Sequence, residues 1–142
     1  MVKAGCALCE AVGEAVVFSC DALRIICADE IGFPAFYRVV WNRHVAEFSD
    51  LSEAERAVCM HAVVVVEQVL RSELQPDKIN LAALGNQVPH LHWHVVARFA
   101  WDSHFPAPVW STPLRPFDSG RVAQVANRQS TIERQIAEKM AA

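Results

Sequence analysis

The chain has 142 residues, of which 53% are hydrophobic and 20% are charged, a composition typical of a globular protein. The net charge of −3 disfavours a protein that binds a nucleic-acid polymer through its phosphate backbone. No apolar run could span a bilayer, since the longest covers only residues 62–66, and the first residues lack a signal peptide. We therefore expect one domain over residues 1–142 that is cytoplasmic, has no membrane partner and keeps its five cysteines as thiols.

A Cys-x-x-Cys motif, formed by Cys6 and Cys9, lies near the start of the chain. This spacing is typical of half a zinc site or of a redox pair, and two ordinary thiols are an equally good interpretation. A redox motif of the thioredoxin type would follow a strand and open a helix in a βαβ unit. No βαβ pattern is visible here, which disfavours redox chemistry.

Four β-rich runs and one long helix are predicted in the first part of the chain. Strands are expected over residues 15–20, 22–28, 36–41 and 79–84, the first two as a hairpin. The helix begins after Ser52, a suitable N-cap that is followed by glutamates, and it ends before Pro76. Its buried side is predicted to comprise Ala57, Val58, Val64, Val65 and Val69.

Polar and apolar side chains alternate strictly from residue 89 onward, which predicts a half-buried strand over residues 90–97. Side chains two apart share one face, so His90, His92 and His94 line one side of this strand and an apolar set that includes Leu91 lines the other. Neutral imidazoles can ligate a metal, attack phosphorus or carry protons. An accidental cluster is the simpler alternative, but three histidines on one face indicate a catalytic or metal site.

The last part of the chain is predicted to be a loop followed by a helix. Residues 101–117 are rich in proline and aromatic residues and should form an ordered, packed loop, which completes a core over residues 1–117. A C-terminal helix is predicted over residues 118–142. Its apolar residues recur near helical spacing, namely Val122, Val125, Ile132, Ile136 and Met140. We interpret it as a helix that packs on the core, and docking on a second copy of the chain is the alternative.

The segment from His90 to Val96 resembles the signature of the histidine triad family, in which three histidines alternate with apolar residues and two apolar residues end the run. Residues 85–89, Gly-Asn-Gln-Val-Pro, are similar to the family's phosphate loop at matching spacing. The resemblance implies an α+β fold with a five-stranded antiparallel sheet and two main helices, paired as a homodimer. It also implies a hydrolase, because His94 stands where the phosphorylase and uridylyltransferase branch typically has glutamine.

The resemblance assigns the nucleophile to His92, flanked by His90 and His94, with a covalent nucleotidyl intermediate and no cofactor required for the chemistry. The implied substrate is a nucleotide phosphoanhydride or phosphoramidate, such as a dinucleoside polyphosphate. An unperturbed imidazole titrates near ~6.5, so activity should fall on the acid side of that region. The expected phosphate- and ribose-binding residues are Asn80, Asn86, Gln87, Val88 and Asp29.

Many bacterial members of the family bind zinc through an N-terminal Cys-x-x-Cys, a histidine after the third strand and the first triad histidine. The matching residues are Cys6, Cys9, His44 and His90, which the resemblance makes a candidate structural zinc site. Four such ligands would close a tetrahedral site and leave no open position for catalysis. The alternative is that the cysteines are ordinary thiols and His44 is a surface histidine.

The chain departs from the family before the third strand, where Ala35-Phe36 replaces a Gly-His pair whose histidine normally supports the triad by a hydrogen bond. His104 is nearby in sequence and could take that place. Two other functions stay open, a zinc metalloenzyme with the triad as ligands and a non-catalytic nucleotide-binding protein. Against the first, three histidines on one strand do not easily converge on one ion.

Overall fold

The computed structural model describes residues 1–142 and shows one antiparallel sheet of five strands in the order β1-β2-β3-β5-β4. This confirms the predicted fold class. The strands are β1 Ala15–Ser19, β2 Leu23–Cys27, β3 Phe36–Trp41, β4 Lys78–Ala82 and β5 His92–Arg98. The helices are α1 Glu53–Leu74, α2 Ser119–Ala126 and α3 Gln129–Ala141, with a short 3-10 turn at Phe48–Asp50.

The strand that carries the histidines begins two residues later than predicted. The N–H of His90 donates to the carbonyl of Val88, so the backbone turns at this residue. Leu91 then meets β3 only through its carbonyl, which accepts from the N–H of Trp41, while its own N–H donates to Val45. The predicted fourth strand likewise ends at Ala82 instead of residue 84. Both differences have one cause, because the segment between the two strands curls into a loop around Gly85, whose φ of 70° a residue with a side chain adopts at a cost.

Helix α1 begins and ends where its sequence signals predicted. Ser52 and Glu55 form a reciprocal capping box, and Gln75 ends the helix in a left-handed conformation. The predicted buried side is only partly correct, since Val65 and Val69 are buried whereas Ala57, Val58 and Val64 are exposed. A helix buries one stripe, and here the stripe comprises Cys59, Ala62, Val63, Val65, Val66, Val69 and Leu70.

The predicted C-terminal helix is interrupted and forms α2 and α3. Asp118 caps the first segment by accepting from the N–H of Arg121. At Arg128 the backbone tightens, because its N–H donates to Val125, three residues back. Ile132 and Ile136 of α3 lie in the main core against α1, so the interpretation as a packing helix is correct.

The sheet buries its two faces differently. One face carries the main core with α1 and α3, and Tyr37, Val39 and Val95 are fully buried there. The opposite face holds a smaller apolar cluster around Phe36 and Val96, and the polar side chains of β5 lie on this face. None of the helices combines the length and the apolar character that crossing a membrane requires.

Candidate functional site

The histidines of β5 lie beside β3, near the middle of the sheet. In the strand register, His94 is opposite Arg38 and His92 is opposite Val40, while Ala82 of β4 flanks His94 on the other side. A cleft of about 490 Å³ opens over these positions. Its lining comprises Ala7, Leu8, Glu30, Arg38, Leu84, Gly85, Asn86, Gln87, Val88, His92, His94 and Trp110.

The ring of His92 is fixed by a hydrogen bond to the backbone. Its Nδ1 lies 2.6 Å from the carbonyl oxygen of His90. A carbonyl can only accept, so Nδ1 carries the proton and Nε2 is the nitrogen with the free lone pair in the neutral ring. Burial lowers the pKa of His92, as does the positive charge of Arg38, and these effects outweigh the opposing effect of the bond to His90. The arrangement favours a neutral imidazole with Nε2 available for attack.

His94 is held by aromatic rings instead of polar groups. Its ring centroid lies 5.6 Å from that of Phe36 and 4.9 Å from that of Trp110, both edge-on. The Nδ1 atom is buried and has no hydrogen-bond partner. Burial, together with the nearby His92 and Arg38, lowers the pKa of His94 to about 4. Phe36, which stands where the resemblance implied a support histidine for the triad, gives His94 an aromatic contact and no hydrogen bond.

His104 lies elsewhere. Its Nδ1 is hydrogen-bonded to Ser103 Oγ at 2.8 Å, and its ring packs against Phe33 at 5.3 Å between centroids. It is not among the residues that line the cleft.

The loop before β5 contributes backbone donors to the cleft. The N–H groups of Asn86, Gln87 and Val88 donate to no group within the chain. Unpaired N–H groups at a bend around Gly85 are suited to binding an anion such as a phosphate. The side chains of Asn86 and Gln87 are exposed and line the same opening. The structure thus brings three of the five predicted phosphate- and ribose-binding residues to His92.

The other two predicted ligand residues lie outside this lining. Asp29 lies in a neighbouring depression of about 640 Å³ that shares Leu8, Glu30 and Arg38 with the cleft, so the two openings are adjacent. Asn80 accepts a hydrogen bond from Arg98 at 2.8 Å through its side-chain oxygen. It is therefore connected to the site through Arg98 and the loop that follows β5.

Two residues of the cleft were not singled out from the sequence as ligand residues. Arg38 pairs loosely with Glu30 at 3.6 Å, and its Nε is buried without a hydrogen-bond partner. Trp110 belongs to the aromatic loop, is 49% exposed and lies against His94. The alternation of β3 places Arg38 on the same face as Phe36, but only the pairing of β3 with β5 shows that this face carries the histidines.

A second cluster forms where the N-terminal segment meets the start of β5. His90 is buried, and its Nε2 lies 2.6 Å from the carbonyl oxygen of Trp41, so Nε2 donates and Nδ1 keeps its lone pair. That Nδ1 lies 3.4 Å from Cys6 Sγ, 3.4 Å from Cys9 Sγ and 3.2 Å from His44 Nδ1. Cys9 Sγ and His44 Nδ1 are 3.5 Å apart. The four predicted zinc ligands therefore converge, with all ligand atoms within 4.8 Å of one another.

The donor set fits a tetrahedral zinc ion. Zinc bonds of about 2.3 Å to sulfur and about 2.0 Å to nitrogen require N···S edges of roughly 3.5 Å and N···N edges of roughly 3.3 Å. Burial raises the pKa of Cys6, but the N–H groups of Cys9 and Leu8 outweigh it, so the net pKa lies below the usual value and the thiolate that zinc binds is favoured. Since Nδ1 of His90 faces the cysteines and its Nε2 donates to the carbonyl of Trp41, His90 has no free nitrogen with which to join His92 and His94 on one ion.

Comparison with known proteins agrees with this geometry. A family model for the HIT domain matches residues 11–101, well over half of the chain. The crystal structure of a histidine triad protein from Bradyrhizobium japonicum is 31% identical, with a TM-score of 0.71 over 87% of this chain and 90% of that chain. A histidine triad protein from Sinorhizobium meliloti is 25% identical, with a TM-score of 0.66 over 83% of this chain and 88% of that chain.

A zinc-bound histidine triad family protein from Mycobacterium smegmatis shares the fold, with 16% identity and a TM-score of 0.59 over 94% of this chain and 88% of that chain. None of the curated proteins compared with the chain matches it. The HIT-domain match and the Bradyrhizobium relative establish the family, and the alternating histidines of β5 supply its signature. The chain belongs to the histidine triad family.

Proposed function

We propose that this protein hydrolyses a phosphoanhydride or phosphoramidate bond of a nucleotide through a covalent nucleotidyl intermediate on His92. The observation that carries the proposal is the 2.6 Å contact between Nδ1 of His92 and the carbonyl oxygen of His90. It fixes the tautomer that leaves the Nε2 lone pair free in a cleft with unpaired backbone donors. A zinc-ligating triad would also need a free nitrogen on His90, whose Nε2 donates to the carbonyl of Trp41 and whose Nδ1 faces Cys6 and Cys9.

The reaction proceeds in two displacements. Nε2 of His92 attacks the phosphorus attached to the nucleoside, a P–N bond forms, and the bond to the leaving group breaks with its electron pair on the leaving atom. Water then attacks the same phosphorus, the P–N bond breaks and Nε2 regains its lone pair. A water proton passes to solvent, and a nucleoside monophosphate is released.

The surrounding residues have distinct roles in this scheme. The N–H groups of Gln87 and Val88, with the side chain of Asn86, hold the nonbridging oxygens of the reacting phosphate. His94 donates a hydrogen bond to a phosphate or leaving oxygen, and His90 orients His92 through its carbonyl. Asp29 accepts from the ribose hydroxyls in the adjoining depression, and Asn80 acts indirectly through Arg98.

We also propose that Cys6, Cys9, His44 and His90 hold a structural zinc ion. Their convergence supports this, and so does the zinc-bound relative from Mycobacterium smegmatis. When bound, the metal would cross-link the N-terminal segment to the start of β5. It would supply no catalytic chemistry, because all four tetrahedral positions would be taken by protein ligands.

A homodimer is proposed as well, with the sheets of two copies meeting at an edge. Strand β4 is an edge strand, and Leu81 on it is 43% exposed. An unpaired edge with exposed apolar side chains is suited to pairing with another strand. Sedimentation equilibrium should give the mass of two chains, and the mass of one chain at micromolar concentration would contradict the dimer. The five free cysteines fit a reducing cytoplasm as the proposed compartment.

The decisive experiment mixes excess protein with labelled diadenosine tetraphosphate, quenches within the first turnover and measures the intact mass. We expect a nucleotidyl adduct on the wild-type protein, followed by release of the nucleoside monophosphate. His92→Asn should give neither adduct nor product while binding the nucleotide and folding normally. His61→Asn, on the exposed face of α1, is the matched control and should behave as wild type. Binding without an adduct or product in the wild type would favour a non-catalytic nucleotide-binding protein.

A further inference from the structure

The cleft contains a fixed positive charge that the two-step scheme has not used. Arg38 and Glu30 are the only Arg, Lys, Asp or Glu residues in its lining. Glu30 is 3.6 Å from the guanidinium and its side chain is 45% exposed, so this ion pair is loose and solvated. The buried Nε of Arg38 has no hydrogen-bond partner. The Arg38 side chain is 28% exposed, so the donors within reach of a ligand are its terminal N–H groups and not the buried Nε, and such a guanidinium is suited to a phosphate.

The position of Arg38 relative to the histidines indicates which phosphate it meets. It lies opposite His94, two residues along β3 from Val40, which is opposite the nucleophile His92. In an in-line displacement the leaving atom lies on the far side of phosphorus from the attacking nitrogen. Arg38 therefore lies on the His94 side of the nucleophile. From that side its positive charge can stabilise the leaving oxygen.

His94 itself is poorly equipped to act as a proton donor. A protonated imidazole presents two N–H groups, yet its Nδ1 is buried between Phe36 and Trp110 with no acceptor. The charged groups that face the ring are Arg38 on β3, with Glu30 paired to it, and the titratable neighbour on its own strand is His92. A fixed cation beside the ring opposes a second positive charge, and the lowered pKa of His94 agrees with a neutral ring.

We propose that Arg38 is a catalytic residue that binds the departing phosphate chain, and that the cleft therefore prefers phosphoanhydrides to phosphoramidates. This inference rests on the proposed function. When Nε2 of His92 forms its bond to phosphorus, the bridging P–O bond breaks and the electron pair stays on the oxygen of the departing phosphate. That oxygen is stable as an anion beside a guanidinium and needs no proton. An amine leaving group must instead gain a proton, and this cleft has a cation where an acid would be required.

Two substrates with the same adenylyl group and different leaving groups test the proposal, namely diadenosine tetraphosphate and adenosine 5′-phosphoramidate. The wild-type protein should have the higher kcat/KM for the phosphoanhydride. Arg38→Met keeps most of the side-chain length and should lower kcat for the anhydride roughly 100-fold, as the loss of one preorganised donor does elsewhere. The same variant should change phosphoramidate turnover far less, and Arg38→Lys should restore part of the anhydride rate. Arg134→Met, on the exposed face of α3, is the matched control.

A second variant covers the case in which Arg38→Met does not fold. Glu30→Gln removes the partner that competes with substrate for the guanidinium and should lower KM for the anhydride without lowering KM for the phosphoramidate. Equal effects on both substrates in the variants that fold, or a wild-type preference for the phosphoramidate, would overturn the proposal. Failure of the proposed function is a different result, in which the wild type converts neither substrate.

Discussion

The imidazoles of His92 and His94 have pKa values below the ordinary range for histidine, and burial is the main cause for both. For His94 the pKa falls to about 4. A lowered pKa means that the ring keeps its lone pair as the pH falls through the region where a free histidine is protonated. The sequence predicts that activity falls near pH ~6.5, and the lowered pKa values place this fall at a lower pH.

This shift predicts the pH profile of the proposed activity. We expect kcat/KM for diadenosine tetraphosphate to stay level as the pH falls through ~6.5, because the decline should be centred at a lower pH. The measurement is initial rate against pH in overlapping buffers, with the folded fraction followed by circular dichroism at each pH. A decline centred at or above ~6.5 would show that burial does not lower the pKa of the nucleophile His92.

Residues of the site that are neighbours in sequence can be predicted from the sequence, whereas those that only the fold brings together cannot. The triad is visible because alternation along one strand is a local pattern, and Gly85 to Val88 lie next to it in the chain. Arg38 and Trp110 are not visible in this way, since they reach His94 only through strand pairing and through the fold of a long loop. The environment of His94 likewise depends on Phe36, which is far from it in sequence.

At the scale of elements, the loop that follows β5 is organised by one buried ion pair. Arg98 donates to both carboxylate oxygens of Asp102, at 2.9 and 3.1 Å, and also to Asn80 and to the carbonyl of Ala107. Asp102 in turn accepts from backbone N–H groups of the loop, which include those of His104 and Phe105. The buried Arg98–Asp102 pair thereby holds in place the loop that brings Trp110 against His94.

Asp102→Asn should therefore destabilise the protein strongly. The side chains of Asp102 and Arg98 are each only 2% exposed, and removing one partner of a buried pair costs about 3–5 kcal/mol. Thermal unfolding followed by circular dichroism measures the loss. Glu138→Gln is a matched control, because Glu138 forms a pair of the same i,i+4 spacing with Arg134 in an exposed position and should leave Tm unchanged.

The same carboxylate makes stability depend on pH. Burial raises the pKa of Asp102, but hydrogen bonds from Arg98 and from the loop backbone outweigh it, and the net pKa is lowered. Its contribution is present above the unfolded value of about 3.9 and is lost as the pH falls through the folded value. An Asp102→Asn variant with wild-type Tm would show that the loop is held by other contacts.

The elements themselves were largely predictable, and the exceptions are instructive. The cap at Ser52 and the end before Pro76 are local signals, and both are confirmed. The exposed Val64 was placed in the core because the four consecutive valines at 63–66 give no helical phase, which only packing against the sheet decides. The late start of β5 follows from the loop around Gly85, which still turns the backbone at His90.

At the scale of the whole molecule, the Cys/His cluster joins three segments that are distant in sequence. Cys6 and Cys9 come from the N-terminal segment, His44 follows β3, and His90 precedes β5. The N–H of His44 also donates to the carbonyl of Met1, which ties the first residue to the same region. The ligand types were predictable by resemblance, whereas their convergence required the fold.

Removal of zinc by a chelator should therefore lower the stability of the protein. The chelator should not compete with substrate for the cleft. A preformed site does not exist in the unfolded chain, so binding energy adds to folding energy. Protein purified without added metal should contain one zinc ion per chain, and a chelator should lower Tm. Cys6→Ser should lower both zinc content and Tm, whereas Cys20→Ser, at an exposed thiol, should change neither. Absence of zinc, with Cys6→Ser melting as wild type, would leave Cys6 and Cys9 as ordinary thiols.

The half-exposed indole of Trp110 gives this protein a built-in optical probe. The other three tryptophans are more buried, so solvent quenchers reach Trp110 most readily. Any ligand that fills the cleft beside His94 also covers this ring and shields it from quenchers such as iodide or acrylamide. Occupancy of the cleft can therefore be titrated by fluorescence with unlabelled protein, even for nucleotides that bind without being turned over.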